Sequence, residues 1–243
     1  HHLARIIDLR NKRIDLTVLS SLEDLSLAAT GIFLKLLKSD GEKRFIVPGG
    51  STPHLFYRYL ADKVLDWTGV TLIPSDERIV EEMSPQSNSG MIKKKLIDRI
   101  QGASKPYLFP ILNGIDPKEP DTIVASMNRR VENLLPIKAA FLGVGVDGHT
   151  ASLFSGDKEL FSTYKPFLLK ERALESFCRV SISASILINT PQLIFLVSGG
   201  SKKNVMQMIM SDSKEDQKFP VIKLMKKAQG HVTVLCDNAA APV

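Results

Sequence analysis

Cysteine and tryptophan are scarce in this chain of 243 residues, with two of the first, Cys178 and Cys236, and one of the second. Two thiols so far apart, each in apolar surroundings, exclude a disulfide-stapled secreted scaffold; free, buried thiols in a reducing cytoplasm are expected. No apolar run approaches the ~20 residues of a membrane span, and no signal-peptide pattern opens the chain. The expected location is therefore cytoplasmic, with no membrane partner. Also missing are the short strings that mark common chemistries. Without G-x-x-x-x-G-K-[ST] there is no triphosphate-cradling loop. Without G-x-S-x-G there is no nucleophile-elbow serine. Without H-E-x-x-H or paired Cys/His spacings, no metal site is expected.

What remains is ordinary soluble composition, 44% apolar and 24% charged, with a net charge of +6. The positive excess favours an anionic partner. The basic residues are scattered: Lys93 to Lys95 and Arg129–Arg130 fall in helix-like stretches and read as solvated faces. With no aromatic RNA-binding motif or basic zipper beside them, no nucleic-acid partner is expected, and a small phosphorylated ligand explains the charge equally well. His1 and His2 read as a tag remnant.

Strand-like and helix-like segments alternate along the chain. "IDLTVLS" alternates as a strand, and Ser21 with Asp24 then forms a capping box ahead of Leu22, Leu25, Ala29, Ile32, Phe33 and Leu36 at helical spacing. "RFIV", "GVTLIP", "KAAFLGV", "FCRVSIS", "QLIFLVSGG" and "HVTVLC" are further strands; helices are expected at 54–65, from Ser87 to about 100, at 121–135, 202–210 and 221–228. Short, fully apolar strands between helices predict an α/β fold: a mostly parallel sheet with helices on both faces, a Rossmann-like three-layer sandwich. No linker composition divides residues 1–243, so one domain is expected.

The segment "GVGVDGHTASLF" holds a literal G-x-G-x-x-G in Gly143, Gly145 and Gly148. A dinucleotide fingerprint needs a long helix after the third glycine, and only "HTASLF" follows before Ser155-Gly156-Asp157. The reading preferred here is a strand that ends in a loop, then a short helix, with His149 at the ligand-binding edge of the sheet. Asp147 could orient its ring or cap the helix. "FIVPGGSTPHLF" and "FLVSGGSKKNVM" both read as strand, Gly-Gly-Ser, helix, and so put Gly49, Gly50, Ser51 and Thr52, and later Lys202, at strand C-termini. In "SDER", Arg78 could grip a phosphate with its planar fork or join an internal ion pair with Asp76 or Glu77. Arg179 is a further cation beside a strand.

Taken together, "GGSTP", "SDERIV", "SNSGMIKKKL", "FLGVGVDGHTASLF", "CRVSIS" and "VSGGSKK" resemble the 6-phosphogluconolactonases in order and spacing, from about residue 20 to 240. Glucosamine-6-phosphate deaminase shares the superfamily, but typically continues G-H-I-A-F-N-E-P and carries D-E-Y; Thr150 to Phe154 and Arg78 stand here instead. Ser155, Ser89 and Ile79 depart from residues common in the lactonases. The resemblance implies hydrolysis of 6-phospho-D-glucono-1,5-lactone without metal or cofactor, with His149 as general base and Asp147 beside it. It further implies a sugar-phosphate site made of Gly49, Gly50, Ser51, Thr52, Asp76, Arg78, Gly148, Arg179 and Lys202. The backbone from Gly145 to Gly148 is an expected source of oxyanion donors, and the chain is expected to act as a monomer.

Overall fold

The computed structural model describes residues 3–9, 12–64, 66–157, 160–211 and 218–242; His1 and His2 lie outside these. The chain forms strands β1 (Leu3–Leu9), β2 (Lys12–Leu19), β3 (Arg44–Val47), β4 (Thr71–Pro74), β5 (Asp76–Arg78), β6 (Tyr107–Leu108), β7 (Ala139–Gly143), β8 (Phe167–Lys170), β9 (Arg179–Ile182), β10 (Gln192–Val197) and β11 (His231–Asp237). Between them run helices α1 (Leu22–Lys38), α2 (His54–Lys63), α3 (Asn88–Lys95), α4 (Pro120–Val131), α5 (Ala184–Ile188), α6 (Lys203–Ser211) and α7 (Pro220–Lys227).

Eight strands form the main sheet in the order β1-β2-β11-β10-β7-β3-β4-β6, all parallel except the β1–β2 pair. Because successive side chains of a strand face opposite sides, each strand feeds two cores. Phe45, Val47, Phe141, Leu196 and Leu235 meet Phe33 of α1, Phe56 of α2 and Ile92 of α3 on one face. Ile46, Leu142, Phe195 and Val234 meet Met127 of α4, Met206 of α6 and Leu224 of α7 on the other. This is the expected three-layer α/β arrangement. Among the described residues no helix is long and apolar enough to cross a membrane.

A second sheet of three antiparallel strands, β5-β9-β8, was not legible beforehand. Ser75 is where the chain leaves the main sheet: its N–H still bonds the Val47 carbonyl, while its own carbonyl accepts from Ile182. From that hinge β5 pairs with β9, placing Arg78 directly opposite Arg179.

The short helix expected after Gly148 does not form. The Gly145 N–H closes onto the His149 carbonyl at 2.8 Å, the Thr150 hydroxyl donates to the Gly143 carbonyl at 2.8 Å, and Thr150 and Leu153 make an isolated bridge. Ala151 between them has φ +51°, so the backbone folds into a closed loop rather than winding onward.

Candidate active site

Four segments converge at the C-terminal ends of β3, β4, β7 and β10, joined there by Asn88 of α3 and Arg179 of β9. They line a cleft of about 430 Å³ bounded by Gly49 to Thr52, Ser75, Asp76, Arg78, Asn88, Gly143 to Gly145, His149, Ala151, Arg179, Ser198, Ser201 and Lys202. The cleft straddles β3 and β7, from which the chain is wound outward to either side, so it occupies the switch point of an open α/β sheet. Larger hollows lie elsewhere on the surface, but they lack this convergence of imidazole, guanidinium and ammonium groups.

His149 is held from two sides. Its Nδ1 lies 2.5 Å from Asp147 Oδ1, and its ring packs on Phe154 with centroids 4.9 Å apart. Burial pushes the Asp147 carboxyl up, but hydrogen bonds from the His149 ring and backbone N–H outweigh it and hold the net value below the ordinary range. An ionised Asp147 fixes Nδ1 as the donor, which leaves Nε2 with its lone pair.

The glycines now have individual reasons. A Cβ on Gly145 would come within 2.1 Å of His149 Nδ1, so that glycine makes room for the imidazole. Gly148 has φ +79° and sits under the Phe219 ring, 2.1 Å from where a Cβ would be, while its carbonyl accepts from Val221 at the start of α7. Gly148 and Asp147 thus lie behind the cleft and shape it, without lining it. The expected oxyanion donors need correction at two positions: the N–H groups of Gly145 and Gly148 are both engaged inside the loop.

On the β3 side, Tyr57 anchors the glycine turn by donating its hydroxyl to the Pro48 carbonyl at 2.5 Å; its phenol is pushed well above the usual value by burial and then by the Asp76 charge. Gly49 admits the Asn88 side chain, whose atoms would lie 2.4 Å from a Cβ there. Asn88, not singled out from sequence, lines the cleft and donates to the Asp76 carbonyl. Its place in "SNSG", next to a capping serine, was the available signal. Asp76 is buried and accepts from Ser152 Oγ at 2.6 Å, tying β5 to the histidine loop. Glu77 points the other way. It accepts from the backbone N–H groups of Asn88 and Ser89 at the start of α3, both at 2.7 Å; burial raises its pKa despite these bonds.

The cations approach from three elements. Arg78 donates Nη1 to the Gln86 carbonyl at 2.9 Å. Arg179 makes a two-pronged pair with Glu175, at 2.7 Å from Nε and 2.6 Å from Nη2. Lys202 donates to the Val144 carbonyl at 2.5 Å, and its pKa is lowered by burial, partly offset by Asp147. Ser198 and Ser201, from the second glycine turn, were also missed, though "VSGGSKK" contains both. Of the departures, Ile79 is buried in the core and Ser89 sits at the N-terminus of α3. Ser155 lies in the turn after Phe154, outside the cleft lining. Among the described residues no cluster of His, Cys, Asp and Glu could hold a metal ion.

The model of the glucosamine-6-phosphate isomerases/6-phosphogluconolactonase matches residues 22–234, which take in the small sheet, the main sheet from β3 onward and every segment of the cleft. The chain belongs to this family. Similar members include a 6-phosphogluconolactonase of Caulobacter vibrioides, 28% identical over 91% of this chain and 97% of that one. Another is 6-phosphogluconolactonase 3 of Saccharomyces cerevisiae, 31% identical over 74% and 76%. Among solved folds, the 6-phosphogluconolactonase of Trypanosoma brucei superposes with a TM-score of 0.81 at 23% identity, covering 93% of this chain and 96% of that one. A monomeric glucosamine-6-phosphate deaminase also superposes, at 0.77 and 19%, covering 93% and 98%. The family's fold thus serves both chemistries, and the cleft must distinguish them.

Proposed function

We propose that this protein is a 6-phosphogluconolactonase that hydrolyses 6-phospho-D-glucono-1,5-lactone to 6-phosphogluconate, with His149 as general base. The observation that carries the reading is the Asp147–His149 pair at the rim of a cleft that also holds Arg78, Arg179 and Lys202. A δ-lactone is an activated ester, so water and one base suffice. Nε2 takes a proton from water as its oxygen attacks C1; the tetrahedral intermediate then collapses, the bond from C1 to the ring oxygen breaks, and the imidazolium returns the proton to that oxygen. Base catalysis of this kind contributes roughly 10²–10⁴-fold.

Two features support a phosphorylated substrate. Arg78 and Arg179 are direct cross-strand partners, which brings two guanidinium groups to the cleft; Glu175 offsets part of their repulsion and a bound phosphate would offset more. Opposite them, the Gly50–Thr52 turn precedes α2, whose N-terminal end favours phosphate oxygens. We assign Gly49, Gly50, Ser51, Thr52, Arg78, Arg179 and Lys202 to the phosphate end, and Asp76 to the sugar hydroxyls. Gly148 acts through the shape of the loop.

The deaminase reading needs a glutamate soon after the histidine. In this chain the first carboxylate after His149 is Asp157, which accepts the Phe154 N–H and pairs with Lys170 at 2.9 Å, outside the cleft lining. Free thiols at Cys178 and Cys236 suit action in the cytoplasm.

The test is a coupled assay on freshly generated lactone, run against a no-enzyme blank because the lactone also opens spontaneously. The protein should accelerate opening and leave glucosamine 6-phosphate untouched, and His149→Ala should lose about 10²–10⁴-fold in kcat while still binding 6-phosphogluconate. Full activity in His149→Ala would remove the mechanism.

A further inference from the structure

We infer that Glu175 is a positioning residue for substrate binding: it aims the Arg179 guanidinium at the phosphate end of the cleft and so sets affinity for phosphorylated ligands. The inference deepens the proposed lactonase reading and rests on it.

Arg179 is the second member of a strained arrangement. It stands opposite Arg78 on β5 and opposite Lys170 on β8, so three cationic side chains share one row across the small sheet. Lys170 is neutralised by Asp157 at 2.9 Å. Arg179 is neutralised by Glu175, four residues earlier in the loop that leads into β9. That loop is bent so that Glu175 can reach, with the Glu175 N–H bonding the Arg172 carbonyl at 3.0 Å. Arg172 lies 3.8 Å from the same carboxylate, and its guanidinium sits 4.0 Å over the Phe154 ring that also supports His149. Glu175 is therefore a single carboxylate gripping two arginines, and the Arg78 charge reaches it as well. Together these charges, led by the hydrogen bonds from Arg179, hold its pKa below the ordinary range.

The geometry of the grip decides its function. Glu175 takes the side edge of the guanidinium, Nε and Nη2. A guanidinium has five N–H donors in a rigid plane, so its end edge, Nη1 with the second N–H of Nη2, remains for a phosphate. Arg179 lines the cleft whereas Glu175 does not. The carboxylate thus holds the fork from outside, without occupying the ligand's place. Phe154 and Phe177 also lie near the same guanidinium, with ring centroids at 5.7 and 5.6 Å. Fixing a long side chain before binding removes an ordering cost that association would otherwise carry. The benefit falls on ground state and transition state alike, so it should appear in KM and not in kcat.

The experiment is a double-mutant cycle on Glu175 and Arg179, using Glu175→Ala, Glu175→Gln, Arg179→Ala and Glu175→Ala/Arg179→Ala. The readouts are steady-state kinetics on the lactone and calorimetric binding of 6-phosphogluconate, with unphosphorylated gluconate as control ligand. Glu175→Ala should raise KM and weaken 6-phosphogluconate binding by roughly 3- to 10-fold with kcat within about twofold. Glu175→Gln, which keeps one acceptor oxygen, should fall between it and the parent and covers the case that the alanine variant folds poorly. The double variant should match Arg179→Ala in phosphate binding, because Glu175 reaches the phosphate through that arginine. Weakened binding in Arg179→Ala beside unchanged binding in both Glu175 variants overturns the role of Glu175 alone. Additive losses do the same. Unchanged binding in Arg179→Ala overturns the phosphate assignment, and the inference with it.

Discussion

At the scale of single residues, the histidine loop shows why small residues stand beside the imidazole. Gly145 gives up its Cβ to the imidazole and Gly148 gives up its Cβ to Phe219, so two glycines of the G-x-G-x-x-G string make room for side chains, one of them His149. Gly145→Ala should therefore displace the ring from Asp147 and cut kcat by at least tenfold. A Cβ 2.1 Å from Nδ1 cannot be accommodated without moving the ring or the loop. Kinetics on the purified, folded variant check this, and an unchanged kcat would mean that ring placement matters less than argued. The histidine was visible in sequence because it follows a glycine at a strand end. The form of its loop was not. The hydroxyl of Thr150 and the positive φ of Ala151 decide it, and neither carries a sequence signature strong enough to overrule a helical reading of "HTASLF".

At the scale of elements, the parallel strands were legible because each is a short apolar run bounded by turn residues, and β3 is the "RFIV" read from sequence. Of the antiparallel strands, β2 and β9 were read as "IDLTVLS" and "FCRVSIS", whereas β1, β5 and β8 were not. β5 is Asp-Glu-Arg, three charged residues of poor strand propensity, paired only because Ser75 hands the chain from one sheet to the other. β1 escaped notice for a related reason: it is an edge strand with most of its side chains exposed, so it lacks the apolar signal of the inner strands. A further element-scale device lies at the end of β11, where buried Asp237 accepts from Ser198 Oγ at 2.5 Å and from the N–H groups of Gly199 and Ala240. It pins the turn that presents Ser201 and Lys202. Asp237→Ala should lower unfolding stability by about 1–3 kcal/mol, since it strands buried donors, and should also raise KM. Denaturant melts and steady-state kinetics measure both; a stability loss with KM unchanged would detach the turn from substrate binding.

For the whole molecule, the positive excess is resolved by place. The basic runs at Lys93 to Lys95 and Arg129–Arg130 sit in the last turns of α3 and α4, where cations favour the helix ends. The cations of the cleft come singly from β5, β9 and the turn after β10, brought together by topology across about 125 residues of sequence, from Arg78 to Lys202. No local window of sequence contains that convergence, which is why family resemblance carried the site further than spacing did. The central claim is a direction of binding, with the lactone carbonyl at His149 and the phosphate at the arginines and the glycine turn. The most direct measurement is a crystal structure with 6-phosphogluconate bound. Its carboxylate should lie within hydrogen-bond reach of His149 Nε2, and its phosphate against Ser51 and the cations of Arg78, Arg179 and Lys202. A phosphate seated on Nε2, or a ligand bound away from the imidazole, would contradict the account.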